Sequence, residues 1–308
     1  MARIILLGVG LLILLIQFSP LGLDSNWQMT MFFGGIVILG IPHGAADLLV
    51  ATRNAINNRK KFSVSFFFIN YIGRLTVFAL SFYYFPLAAN IIFIILAAYH
   101  FGETDLHQFK TQTLRGSMFV TSYGLLILGV ILLVHFEDVM PLFLQFETGK
   151  QYSWLLEKIN DNRYTILSMS GLLFFITAFL YFIGNNSPVQ INGRFLVHLA
   201  VLLFILFKLP MMLGFTFYFI CWHSILSLQK IIGYLNTDKL LKGGSVVKQI
   251  VLYSLIAIFG IIVMAIAGTA MINVNLMVVY VFIGLAVLTA PHMQIMQEMY
   301  QQIRAGKT

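Results

Sequence analysis

The sequence predicts an all-α, polytopic integral membrane bundle of about ten transmembrane helices, with both termini cytoplasmic. Three observations carry this: an apolar composition, repeated apolar runs of membrane length, and basic residues concentrated between the runs and at their ends. Of 308 residues, 59% are hydrophobic and 10% charged, with mean hydropathy +0.90. A soluble domain carries roughly 25% charge. A spanning helix needs about 20 mostly apolar residues, and the runs here are unbroken rather than alternating, so they read as helices and not barrel strands.

The candidates in chain order are 4–18, 31–50, 65–85, 87–103, 117–136, 164–184, 194–208, 210–227, 247–268 and 276–293. The first follows Arg3 and leaves through Ser19-Pro20-Leu21-Gly22. No small-x-small cleavage site follows, so it reads as a retained helix rather than a signal peptide. The second carries Pro42, which removes a backbone donor and kinks the helix, beside Gly44, where a helix or ligand could approach closely. The third holds Arg74 within its apolar length, and Pro86 opens the fourth. Pro210 divides the seventh from the eighth, and the tenth ends on Ala290-Pro291-His292-Met293. No composition shift, repeat or linker interrupts the series, so residues 1–308 read as a single polytopic membrane domain.

The net charge of +8 follows topology. With the N-terminus inside, fourteen of the 19 Lys and Arg fall on cytoplasmic segments, four fall outside, and Arg74 lies within a span. This is the positive-inside bias, and it requires no nucleic-acid partner. The single cysteine, Cys221, cannot form an intrachain disulfide and reads as a small apolar packing residue.

Four of the seven histidines, His43, His100, His223 and His292, lie toward the C-terminal ends of the second, fourth, eighth and tenth runs. All four runs cross from outside to inside, so the imidazoles are predicted at similar depth. Neutral imidazole is the commonest metal ligand, and ionisable residues within a membrane are functional candidates by default. His135 falls at the opposite face, His107 in a solvated loop, and His198 near a cytoplasmic helix start. Asp47 and Glu103 follow His43 and His100 by four and three residues, on the same helical faces. Either can orient a ligating ring by accepting its other N–H, or ligate directly in a two-His-one-carboxylate triad. Imidazoles without cysteine suit Zn, Cu, Fe or Ni, and a bis-imidazole haem is also compatible. The sequence has no HExxH, no phosphate loop and no G-x-G-x-x-G opening a helix, which excludes zincin-type proteolysis and nucleotide chemistry on those motifs.

Gly40-Ile41-Pro42-His43-Gly44-Ala45-Ala46-Asp47, His100-Phe101-Gly102-Glu103, Trp222-His223-Ser224 and Leu288-Thr289-Ala290-Pro291-His292-Met293 occur in the order of the motifs of one family. Across about residues 31–300 the chain resembles the Brp/Blh family of membrane β-carotene 15,15′-dioxygenases. The resemblance implies a multi-pass enzyme of the cell's inner (plasma) membrane, with Fe(2+) as cofactor and β-carotene and O2 as substrates. Its products would be two all-trans-retinal molecules, with a retinal-binding rhodopsin as recipient. His43, His100 and His223 match family ligands and are the implied catalytic residues. The family's fourth ligand lies four residues beyond the third, where this chain has Ser227; His292 takes that place in the expected set. The 29 Phe would help wall an apolar tunnel. The alternative is a non-catalytic carotenoid-, retinal- or haem-binding membrane protein that lost the iron site through Ser227.

Overall fold

The computed structural model describes residues 1–109, 111, 113–145, 150–184, 193–236, 246–268 and 277–306. Helices dominate and no strand occurs among the described residues. The chain runs α1 (Ala2–Gln17), α2 (Ser25–Gly35), a π-helical stretch Ile36–Gly40, α3 (Ile41–Ala45), α4 (Asp47–Asn57), α5 (Val64–Tyr84), α6 (Pro86–Asp105) and α7 (Leu114–Leu133). It continues through α8 (Phe136–Leu144), α9 (Ser153–Asp161), α10 (Arg163–Gly184), α11 (Gly193–Lys208), α12 (Met211–Phe215) and a second π-helical stretch, Thr216–Ser224. The last helices are α13 (Ile225–Asn236), α14 (Val246–Gly268) and α15 (Met277–Arg304).

The expected apolar runs lie on helical segments, the second spread over α2, the 36–40 stretch, α3 and α4, and the eighth over α12, the 216–224 stretch and α13; residue 276 of the tenth lies outside the described residues. Among the described residues, seven helical segments are long and apolar enough to cross a membrane: Ser25–Asn57, Val64–Tyr84, Pro86–Asp105, Leu114–Leu133, Arg163–Ile183, Met211–Asn236 and Val246–Val263. The basic loop bearing Lys239 and Lys242 lies outside the described residues, as do Lys110 and Lys307. The nine-residue helices α8 and α9 are additional. Each is too short for a span, and Phe136, Val139, Leu156 and Ile159 bring their apolar faces together around Met211.

Local chemistry sets the helix starts. Asp24, Ser63 and Thr113 each accept the backbone N–H three residues on, from Trp27 at 2.9 Å, Phe66 at 3.4 Å and Gly116 at 3.1 Å. Each satisfies one of the donors orphaned at a helix N-terminus. Pro86 occupies the first position of α6, where its missing N–H costs nothing.

Contacts divide the chain into two compact units. The first comprises Met1–Ile36 and Ala98–Leu226. Within it α7 packs along α10, and α1 packs on α11 and on the 216–224 stretch. Phe119 stacks on Tyr181 at 5.1 Å and on Phe174 at 5.9 Å, filling the core between α7 and α10. Two glycines set how closely α6 approaches α7. A Cβ at Gly124 would sit 1.8 Å from the Ala98 carbonyl oxygen, and one at Gly102 would sit 2.0 Å from that of Val120. Only glycine permits this backbone-on-backbone crossing, the contact that small residues allow between membrane helices.

The second unit comprises Val37–Ala97 and Ser227–Thr308. Here α15 packs on α4 and α5, and α14 on α3. Its core gathers Ala46, Val50, Ile231, Leu235, Met296, Met299 and Tyr300. α5 instead turns Phe66, Ile69, Ile72 and Val77 outward. An exposed apolar helix of this length fits a lipid environment.

Candidate metal centre

In the second unit, the 36–40 stretch widens the helix immediately before Pro42, which stands in the first turn of α3. π-Helical turns of this kind recur at functional sites. The result presents His43 inward, 4% exposed. His292 reaches it from α15, directly after the helix-interior Pro291. The two Nε2 atoms lie 2.8 Å apart and the rings meet edge to face at 4.4 Å.

Asp47 stands behind this pair. Its Oδ1 lies 2.7 Å from His292 Nδ1, while Tyr71 donates its hydroxyl to Oδ2 at 3.0 Å. Bonding to the carboxylate fixes the His292 tautomer with hydrogen on Nδ1 and a lone pair on Nε2, directed at His43. Two imidazole nitrogens bound at right angles to one ion with ~2.1 Å bonds lie roughly 3.0 Å apart. The observed spacing therefore fits a shared metal after a small spreading of the rings.

The spacing argument expected Asp47 to serve His43, four residues earlier. That expectation assumed one continuous helix. The chain breaks between α3 and α4 at Ala46, and the Asp47 carboxylate turns to His292 instead. Gly44 has open space around a would-be Cβ among the described residues.

The first unit holds a second imidazole pair. His100 on α6 and His223 in the 216–224 stretch are 2% and 0% exposed, with ring centroids 4.8 Å apart. Phe101 meets His223 edge-on at 4.8 Å and Phe219 stacks on it at 6.1 Å. Neutral imidazoles with apolar flanks suit a ligand role, since protonation there would bury a charge.

Asp105, the last residue of α6, anchors this pair. Its carboxylate accepts from Trp222 Nε1 at 3.0 and 3.2 Å, from the Tyr123 hydroxyl at 2.9 Å and from the Tyr218 hydroxyl at 3.2 Å. Arg3 donates to its main-chain carbonyl. A fully buried carboxylate is tolerated only with such donors. The bonds link the His100 helix to the residue preceding His223. Tyr71 had no sequence signal beyond being polar within an apolar run, and Asp105 none beyond lying just past one.

The remaining expected residues are placed as follows. Glu103 is buried, 1% exposed, and accepts from Tyr99 and Thr111. His107 was expected in solvent but is partly buried, its Nδ1 3.1 Å from the Thr104 carbonyl. Burial pushes the His135 imidazole below its ordinary value. Ser227 is fully buried in the second unit, and its hydroxyl has no hydrogen-bond partner among the described residues.

Comparison with known sequences now decides the family. The family model described as beta-carotene 15,15′-dioxygenase matches residues 34–300. The chain belongs to the β-carotene 15,15′-dioxygenase family. It is similar to the beta-carotene 15,15′-dioxygenase of uncultured marine bacterium 66A03, 23% identical over 261 residues, covering 84% of this chain and 89% of that protein. No solved structure matches. The span matched by this dioxygenase family contains both imidazole pairs, Asp47, Tyr71 and Asp105.

Proposed function

We propose that this membrane protein cleaves the central 15,15′ double bond of β-carotene with O2, with iron held by His43, His100, His223 and His292. The balance is simple: one C=C bond and O2 become two C=O bonds, giving two all-trans-retinal molecules with no other reactant. The observation that carries this reading is the His43–His292 pair, with converging nitrogens and a carboxylate behind one ring. Family membership supports the substrate.

Bound iron would supply the redox chemistry that a direct reaction of O2 with an alkene lacks. The chain's own residues hold and orient. Asp47 keeps the His292 proton on Nδ1, and Tyr71 keeps Asp47 in place. Asp105 fixes Trp222 and thereby His223. Phe101 and Phe219 exclude water from the imidazoles, as a hydrocarbon substrate requires. No general base is needed, because no substrate proton leaves before oxygen attack. β-Carotene partitions into the bilayer and is about as long as its roughly 30 Å apolar core. The reading extends to ten crossings with both termini cytoplasmic, in the cell's plasma membrane, and to a retinal-binding rhodopsin as recipient of the product.

The test is expression in β-carotene-accumulating cells, with chromatography for retinal and metal analysis of the purified protein. Retinal formation and about one iron per chain are expected. Folded protein that leaves carotene intact under air would overturn the enzymatic reading. Ser227 favours a second reading, in which the scaffold binds a carotenoid, retinal or haem without turnover; a Soret band would identify the haem case.

A further inference from the structure

Arg74 lies ten residues from each end of the 21-residue α5, about 15 Å along the axis from either terminus. It is exposed on a surface otherwise built for lipid. Its guanidinium donates to the side-chain oxygen of Gln294 on α15, whose amide in turn donates to Glu298 at 3.4 Å. That partner is neutral, so the charge has no carboxylate beside it among the described residues. A guanidinium carries five N–H donors, and a cation at membrane depth is costly and marks a candidate functional site. The residue borders a cleft of about 420 Å³ lined by Ile69, Asn70, Gly73, Val77, Phe78 and Ala290. Gly73 keeps the cleft floor low beside Arg74, and Ala290 stands two residues before His292.

We propose that this cleft is a product site, taking an all-trans retinoid aldehyde with its carbonyl oxygen on Arg74 and its polyene along the apolar wall. The inference rests on the cleavage reaction proposed above. Hydrogen-bond complementarity selects the occupant. The hydrocarbon substrate has no heteroatom and gains nothing from a guanidinium. The aldehyde carries one acceptor oxygen at the end of an apolar chain, which matches one cation at the edge of an apolar cleft. A lipid headgroup is disfavoured by depth, since phosphate does not reach the middle of a spanning helix.

The test measures binding of all-trans-retinal and of axerophthene, its hydrocarbon counterpart without the oxygen, to full-length protein in nanodiscs. Arg74→Gln should raise the retinal Kd about tenfold or more, the worth of one charge-assisted hydrogen bond out of water, and leave axerophthene binding unchanged. Arg74→Lys should recover part of the loss. Val77→Trp, which fills the cleft without touching the guanidinium, should weaken both ligands and keeps the question open to measurement if Arg74 variants fold poorly. Equal retinal affinity in wild type and Arg74→Gln overturns the site, as does release of a co-purified anionic lipid as the variant's sole change. The binding assay needs no turnover. Arg74-dependent retinal binding in a protein that cleaves no carotene would therefore sink the enzymatic reading and leave the site standing.

Discussion

Trp222 donates its indole N–H to both carboxylate oxygens of Asp105, at 3.0 and 3.2 Å. The bond crosses from the 216–224 stretch to α6 and fixes the residue next to His223. Asp105→Asn keeps the shape but replaces one acceptor oxygen with a donor facing Trp222 and two tyrosine hydroxyls. Each buried group left unsatisfied costs about 1–3 kcal/mol. Lower thermal stability is expected together with a fall in kcat at nearly constant KM. Unchanged kcat in the folded variant would reduce Asp105 to a structural role.

Removal of the proposed ligands gives the sharpest contrast. His43→Ala, His100→Ala, His223→Ala and His292→Ala should each abolish iron and retinal formation. His135→Ala should retain both, since that ring belongs to neither imidazole pair. Metal analysis of the five purified variants decides it. Equal iron loss in the His135 variant would indicate misfolding rather than ligation.

Asp47 and Tyr71 should act in graded fashion. Loss of an acceptor behind a ligating histidine typically lowers metal affinity 10–100-fold. Asp47→Asn is expected in that range, and Tyr71→Phe well below it, because Asp47 keeps His292. Iron titration monitored by competition with a chelator measures both. A larger effect from Tyr71→Phe would invert the order of the chain Tyr71, Asp47, His292.

Ser227 presents a buried hydroxyl without a partner among the described residues. Ser227→Ala should therefore be neutral to stabilising by about 1 kcal/mol, with iron content unchanged. Thermal unfolding and metal analysis of one preparation test both halves. Loss of iron on Ser227→Ala would make the hydroxyl a ligand, against the assignment of the fourth place to His292. His198→Ala should keep its iron; the opposite result, with His292→Ala retaining metal, would also move that assignment.

The positions of the helices were readable because lipid demands long apolar runs, and the expected runs lie on helices or on short series of them. Pairing was not readable. His43 and His292 are separated by 249 residues, and depth along a span says nothing about which ring faces which. The partner of Asp47 was misjudged because i,i+4 reasoning holds only inside an unbroken helix, and α3 ends at Ala45. Asp105 was hidden by distance in sequence: its side-chain donors lie 18, 113 and 117 residues away. The short α8 and α9 fell below the length at which hydropathy speaks.

The 216–224 stretch has a consequence for how this protein tolerates change. Each π turn holds an extra residue relative to the α-helix, so it behaves as an insertion that the fold has kept. Deleting one residue among 216–221 would let ordinary i→i−4 bonding resume, while rotating His223 by about 100° relative to the helix before it. Such a shortened chain is expected to fold with better local hydrogen bonding and to lose its metal. Here the more comfortable backbone is the inactive one, and selection for robustness alone would erase the site.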